Sequence, residues 1–167
     1  MKGYYFTKIF VVTMISSERY DFIIYTDGAC LGNPGEGGWA GIIYNSKDNH
    51  KRIIVGSEQY TTNNRMELLA VIESLKAISF NTNVKIYSDS KYVLEGITKW
   101  IHNWKKNNWM SSNKKKIKNI DLWEELDDLV KRFNISWEWV KGHSDDKNNN
   151  EADELARLEA QNLLDRL

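Results

Sequence analysis

Four carboxylates in this chain have positions that packing alone does not account for: Asp27, Glu67, Asp89 and Asp153. Asp27 closes the apolar run Phe22-Ile23-Ile24-Tyr25-Thr26 and is followed at once by Gly28. Asp89 closes a second run, Val84-Lys85-Ile86-Tyr87-Ser88. Glu67 falls one turn into a helical pattern that opens at Thr61-Thr62-Asn63-Asn64, and Asp153 falls in the expected first turn of the last helix, ten residues after His143. Taken singly, each acid has an ordinary explanation. Asp before Gly forms turns, acids in a first helical turn are favoured by the helix dipole, and Asp89-Ser90 suits a helix cap. Gathered together they would repel one another unless cations lay between them. An all-oxygen set of this kind suits hard divalent ions. His143, in a polar loop after Gly142, taken alone could be an ordinary exposed loop residue.

Convergence of the acids requires particular elements. Residues 22–30 and 84–88 read as strands, and in open α/β sheets sites gather at strand carboxyl ends. If those strands are parallel neighbours, Asp27 and Asp89 are adjacent. Residues 63–79 read as a helix, with Thr62 or Asn63 as its cap and a core stripe of Leu68, Ile72 and Leu75 beside Leu69. Asn63 and Asn64 share the Glu67 face at i−4 and i−3. The glycine-dense stretch 31–38 reads as a loop, and 39–45 with 51–59 as a hairpin. Helices are expected at 91–97, 100–107 and 121–132, a strand at 135–140, a polar loop at 141–149 and a final helix to about residue 165. Strands alternating with helices predict a mixed α/β sheet with helices on its faces.

The 167 residues suit one domain with a real core, and a hydrophobic content of 41% argues against wholesale disorder. The formal net charge is zero, yet the charge is unevenly distributed. Residues 99–120 carry seven lysines and no acid, while five acids crowd the next eight residues. A basic patch is therefore expected within a neutral chain. Cys30 is the one cysteine, so no intrachain disulfide can form, and a cytoplasmic location is expected. No apolar run reaches the roughly 18 residues of a membrane span. The stretch Lys8–Ile15 is apolar but short, and no clean small-residue cleavage site follows it. Residues 1–19 are assigned to an N-terminal extension of unknown role, with Met14 as an alternative start, and 20–167 to a single domain. No oligomerisation stripe is evident, so a monomer is expected.

Several segments together resemble bacterial type 1 ribonuclease H. They are Thr26-Asp27-Gly28-Ala29-Cys30-Leu31-Gly32-Asn33-Pro34-Gly35, Thr61-Thr62-Asn63-Asn64-Arg65-Met66-Glu67-Leu68 and Asp89-Ser90-Lys91-Tyr92-Val93. Trp100-Ile101-His102-Asn103-Trp104-Lys105-Lys106, Trp137-Glu138-Trp139-Val140-Lys141-Gly142-His143 and Glu151-Ala152-Asp153-Glu154-Leu155-Ala156 complete the set. The resemblance runs in order from about Tyr20 to about Ala160. It implies a ribonuclease H-like α/β fold, a five-stranded mixed sheet flanked by helices on both faces. It also implies endonucleolytic cleavage of the RNA strand of an RNA–DNA hybrid with two Mg²⁺ ions, Mn²⁺ being an alternative. Asp27, Glu67, Asp89 and Asp153 fall on the family's metal-binding carboxylates, and His143 on its catalytic histidine. Cys30, Asn33, Asn63, Asn64 and Lys91 fall at minor-groove or backbone contacts, and Thr62 at a DNA phosphate contact. Trp100, Trp104, Lys105, Lys106 and Lys114 fall in its basic protrusion. Lys91 stands where the family often has Gln, and Asn150 where Glu is common. The rival readings are another nuclease of the same fold and a non-catalytic hybrid-binding module. A pure binder would have no reason to keep four repelling acids near a phosphate groove.

Overall fold

The computed structural model describes residues 20–142 and 145–167. Residues 1–19 and His143 therefore lie outside the described residues, and the N-terminal extension with them. One sheet is built from β1 (Phe22–Cys30), β2 (Gly35–Asn45), β3 (Lys51–Thr61), β4 (Asn83–Ser88) and β5 (Asn134–Trp139). The strands lie in the order β3-β2-β1-β4-β5. β1, β2 and β3 form an antiparallel meander, while β4 and β5 run parallel to β1. The expected mixed five-stranded sheet is thus present.

Five α-helices accompany it: α1 (Asn63–Lys76), α2 (Lys91–Glu95), α3 (Ile101–Lys106), α4 (Ile120–Val130) and α5 (Lys147–Asp165). The main core lies between the sheet and α1, α2 and α4. Ile24, Val84 and Ile86 of the strands meet Leu68, Ile72 and Leu75 of α1 and Leu122, Trp123 and Leu126 of α4. The Leu68, Ile72 and Leu75 stripe is fully buried, and Leu69 packs at its edge. The other face is covered by α5 through small residues, Ala29 and Ala40 meeting Ala156. Among the described residues no helix is long and apolar enough to cross a membrane.

Several boundaries differ from the sequence reading. β2 begins at Gly35, not Trp39, because its glycines pair on both sides: Gly38 with Ala29, Gly37 with Cys30, and Gly35 with Thr61 across a register shift. Glycine density signalled a loop, but here the missing side chain of Gly38 lets α5 approach the sheet, since a Cβ there would lie 2.2 Å from the Ala156 carbonyl oxygen. The turn proper shrinks to residues 31–34. The helices expected at 91–97 and 100–107 are joined by a π-helical turn at Gly96–Trp100, so the chain runs through without a break. α1 ends at Lys76, three residues earlier than expected. α5 begins at Lys147 because the Asp146 carboxylate accepts hydrogen bonds from the Asn148 and Asn149 amides. This places Asp153 in the second turn of α5, not the first.

Trp123 ties the outer helices to the core. Its side chain is fully buried, its ring meets those of Tyr92 and Trp104 at 5.3 and 5.2 Å, and its indole N–H donates to the Tyr92 hydroxyl at 3.1 Å. Trp123→Ala is expected to cost about 3–5 kcal/mol through the cavity it leaves, measured as a shift in urea midpoint at unchanged m-value.

Candidate active site

The parallel pairing of β1 with β4 ends at Thr26 opposite Ser88. Asp27 and Asp89 are the next residues on the two chains. β1 itself continues past this point, with Asp27 opposite Ala40 of β2. Asp27 therefore lies just past the end of the parallel ladder but within the strand, where β1 and β4 part. Glu67 arrives from α1 because Gly28 has no side chain. A Cβ there would lie 2.4 Å from the Glu67 amide nitrogen and 2.5 Å from the Met66 carbonyl carbon. The absence of that atom lets the helix backbone rest on the strand beside Asp27. Asp27, Glu67 and Asp89 each bring a carboxylate oxygen within 4.8 Å of the others.

The electrostatic consequences are large because two of the three are buried, Asp27 at 3% and Glu67 at 5% exposure. Burial first, and then the Asp89 charge, raise the Asp27 carboxyl to about 7, against bonds from Glu67 and the Gly28 amide that lower it. The Gly28 N–H donates to Asp27 Oδ1 at 2.8 Å. Glu67 is also pushed well above the usual carboxylate range, by burial and then by Asp27 and Asp89. Its Oε2 is buried without a protein hydrogen-bond partner. Without cations, part of this cluster holds protons near neutrality. Three converging carboxylates, one of which carries a buried unpartnered oxygen, are a donor set that fits a hard divalent cation.

Asp153 stands beside the trio. Its charge contributes to raising Asp27, and Arg157, one helical turn later, donates to Asp153 Oδ1 at 2.9 Å. Both line an open groove of about 610 Å³ with Gly28, Ala29, Cys30, Leu31, Asn63, Glu154, Leu158 and Gln161. Two of the resemblance-derived contact residues, Cys30 and Asn63, thus share a groove with Asp153. Cys30 Sγ lies 3.2 Å from the Thr61 carbonyl. Asn33 accepts from the Asn63 amide at 2.9 Å, which ties the 31–34 turn to the start of α1. Thr62 caps α1 by accepting from the Arg65 amide, and Asn64 is exposed in the first turn.

The basic segment is less uniform than its sequence suggests. Trp104 packs between Trp123 and the 37%-exposed Trp100, with ring centroids 5.2 and 5.8 Å away. The Lys105 ammonium is engaged by Asp127 at 2.7 Å, and Lys131 reaches the same carboxylate at 2.9 Å. Burial pushes Asp127 up, but the two lysines outweigh it and hold the carboxyl below its usual value. Lys106 and Lys114 are exposed.

Three residues at the site escaped the sequence reading. Arg157 was detectable as the i+4 partner of Asp153. Gly142 closes on Asp89, since a Cβ there would lie 2.5 Å from Asp89 Oδ2. Trp139 ends β5 with 44% of its surface exposed and donates its indole N–H to the Asp89 carbonyl at 3.2 Å. Nothing in the alternation of Trp137, Glu138 and Trp139 distinguished the two tryptophans.

Comparison with known proteins gives a consistent picture. The RNase H family model matches residues 19–161. The ribonuclease H of Wolbachia pipientis wMel is 56% identical over 140 residues, covering 84% of this chain and 95% of that protein. The ribonuclease H of Francisella tularensis subsp. novicida is 51% identical over 151 residues, covering 90% and 97%. Among solved structures, LC9-RNase H1, a type 1 RNase H with the type 2 active-site motif, superposes with a TM-score of 0.76. It is 32% identical, over 84% of this chain and 72% of that one.

The raised Asp27 carboxyl has a definite stability signature. The folded state keeps a proton that the unfolded chain releases from about pH 3.8, so the group's contribution is present at low pH and is lost as pH rises to about 7. Asp27→Asn removes the penalty and is expected to stabilise the metal-free protein at neutral pH by about 1–4 kcal/mol. The gain over wild type should grow from about pH 4 to 7 and level off above, in chemical denaturation with chelator present. Gly142→Ala, which crowds Asp89, is expected to weaken divalent-ion binding about 10-fold or more, read by titration calorimetry.

Proposed function

The chain belongs to the ribonuclease H family, and we propose that it hydrolyses the RNA strand of RNA–DNA hybrids with Asp27, Glu67, Asp89 and Asp153 as the ligands of two Mg²⁺ ions. It is a divalent-metal-dependent endonuclease. The observation that supports the ligand assignment is the trio of Asp27, Glu67 and Asp89 with carboxylate oxygens gathered within 4.8 Å. Ions bound there would supply charge to the attacking and leaving oxygens of an in-line displacement.

The chain's own residues do the rest. Asp27, as the most central of the acids, would help to hold both ions. Glu67 and Asp89 would complete the ion nearer the leaving group, and Asp153 would help to hold the one nearer the attacking water. Burial raises the Asp27 and Glu67 carboxyls, so ion binding there would be coupled to proton release. Arg157 restrains Asp153 in the rotamer that faces the groove. His143, on the polar loop, accepts a proton at its imidazole and aids product departure.

Hybrid recognition is assigned to the groove floor and the basic segment. Cys30, Asn33, Asn63 and Asn64 read the minor groove, where 2′-hydroxyls mark the RNA strand. Thr62 and Lys91 meet phosphates. Trp100 and Trp104 form the apolar footing of the protrusion, and Lys105, Lys106 and Lys114 provide its charge. The domain spans residues 20–167, acts as a monomer, and works in the cytoplasm, in keeping with a lone half-buried cysteine.

The deciding experiment uses a hybrid labelled on either strand, with Mg²⁺ and with chelator, beside single-stranded RNA and both pure duplexes. Metal-dependent cutting of the hybridised RNA alone is the expected outcome. Asp27→Asn should then be folded and at least about 10³-fold slower. If that variant cuts as fast as wild type, the ligand assignment is wrong. Neutralising Lys105, Lys106 and Lys114 together is expected to reduce the salt slope of hybrid binding by about 2, not 3, because Lys105 is already paired with Asp127.

A further inference from the structure

The end of β5 carries an aromatic side chain whose exposure its packing does not explain. Trp139 leaves 44% of its surface in solvent, while its neighbour two residues back, Trp137, packs against the main core. Exposing a large indole forgoes much of the burial energy that usually justifies a tryptophan. Two contacts single out this one. Its N–H donates to the Asp89 main-chain carbonyl at 3.2 Å. Its ring lies under the Lys91 ammonium, 5.0 Å from the centroid. Asp89 and Lys91 flank Ser90, whose hydroxyl caps α2 by accepting from the Val93 amide. One side chain from a different strand therefore grips both ends of the Asp89-Ser90-Lys91 corner. That corner joins the carboxylate trio to the first exposed cation of α2 and borders a shallow groove of about 250 Å³, lined by Lys91, Leu94, Glu95, Thr98, Lys99 and Trp139.

We propose that Trp139 is a positioning residue for the cleavage site, holding the Asp89 carboxylate through its indole N–H and the Lys91 ammonium through its ring. The inference rests on the reading of Asp89 as a metal ligand and Lys91 as a phosphate contact. Asp89 follows directly on the last paired residue of β4, Ser88, so the parallel ladder no longer fixes its main chain. The bond from Trp139 restrains that main chain just past the end of the ladder. A wandering carbonyl at Asp89 would swing the carboxylate away from Asp27 and Glu67, and second-layer bonds of this kind hold ligands at the distance a metal demands. Lys91 is exposed on a long, flexible stem. The indole face lowers the number of places its charge can occupy, and so pre-pays part of the ordering cost of meeting a phosphate.

Because the two contacts use different parts of the indole, they can be separated. Trp139→Phe keeps a ring under Lys91 and removes the N–H. It is expected to lower kcat and weaken Mg²⁺ binding about 3- to 10-fold, the worth of one hydrogen bond, with KM for the hybrid within about 2-fold of wild type. Trp139→Leu removes both contacts and should add a rise in KM of about 2- to 5-fold. Lys91→Gln on the Trp139 background should raise KM alone and flatten its salt dependence. Mg²⁺ affinity is read by calorimetry without substrate, and melting curves check that each variant is folded. A purely structural tryptophan would shift the melting temperature and leave Mg²⁺ affinity untouched. A folded Trp139→Phe with wild-type Mg²⁺ affinity and kcat would overturn the Asp89 half, and a Trp139→Leu with wild-type KM the Lys91 half. Wild-type cleavage of the hybrid, run in parallel, tests the functional reading separately.

Discussion

Repulsion among three carboxylates packed into less than 5 Å is the constraint around which this molecule is arranged. Among the described residues, hydrogen bonds at the trio only partly offset it. The Gly28 amide offers one bond to Asp27, and Glu67 keeps a buried oxygen with no partner at all. A fold that tolerates such a cluster must hold it by rigid means, and the surrounding architecture does so. A parallel ladder ends at the point where Asp27 and Asp89 emerge, and a helix lies against a strand with only a glycine between. The repulsion and the burial together raise the Asp27 and Glu67 carboxyls above their usual range.

The remaining structure reads as support for that arrangement. α1 presses Glu67 inward because Met66, Leu68 and Ile72 are fully buried beside it. α5 brings Asp153 to the same edge of the sheet through a stripe of alanines that allow a close approach, with Arg157 restraining the carboxylate. β5 contributes the Trp139 bond to the Asp89 carbonyl, and Gly142 closes against the Asp89 carboxylate. Each acid thus has at least one neighbour that limits its motion. Catalysis by positioned charge depends on such preorganisation, since the groups must not have to move when charge develops.

Charge at the periphery follows a different logic. The lysine-rich segment looked like an undivided basic patch, yet Asp127 binds Lys105 and Lys131 together, and Lys76 is shared between Glu73 and Glu125. The acids of α4 therefore neutralise part of the positive field generated just before them in the chain. Lys106, Lys114, Lys115, Lys116 and Lys118 of that segment are exposed. Such an arrangement leaves positive charge on one segment while the net charge of the chain is zero.

Much of the site was legible in the residues because motif, turn chemistry and periodicity act locally. The runs ending in Asp27 and Asp89, the Thr62 cap, and the stripe of Leu68, Ile72 and Leu75 follow from neighbours within a few positions. So did the mixed α/β class. What the chain alone left open were matters of approach between distant segments. The glycines at 35–38 read as a loop because turn preference is local, whereas their role as strand residues depends on β1 and β3 pairing on either side. The second-turn position of Asp153 depends on the Asp146 cap. The shift of Asp27 to about 7 arises from burial and from charges 40 or more residues away in the chain. The pairing of Lys105 and the grip of Trp139 on Asp89 are of the same kind. Sequence determines which groups are available and on which local element they ride. Only the tertiary structure decides their separations, and both electrostatic energy and hydrogen bonding depend steeply on separation.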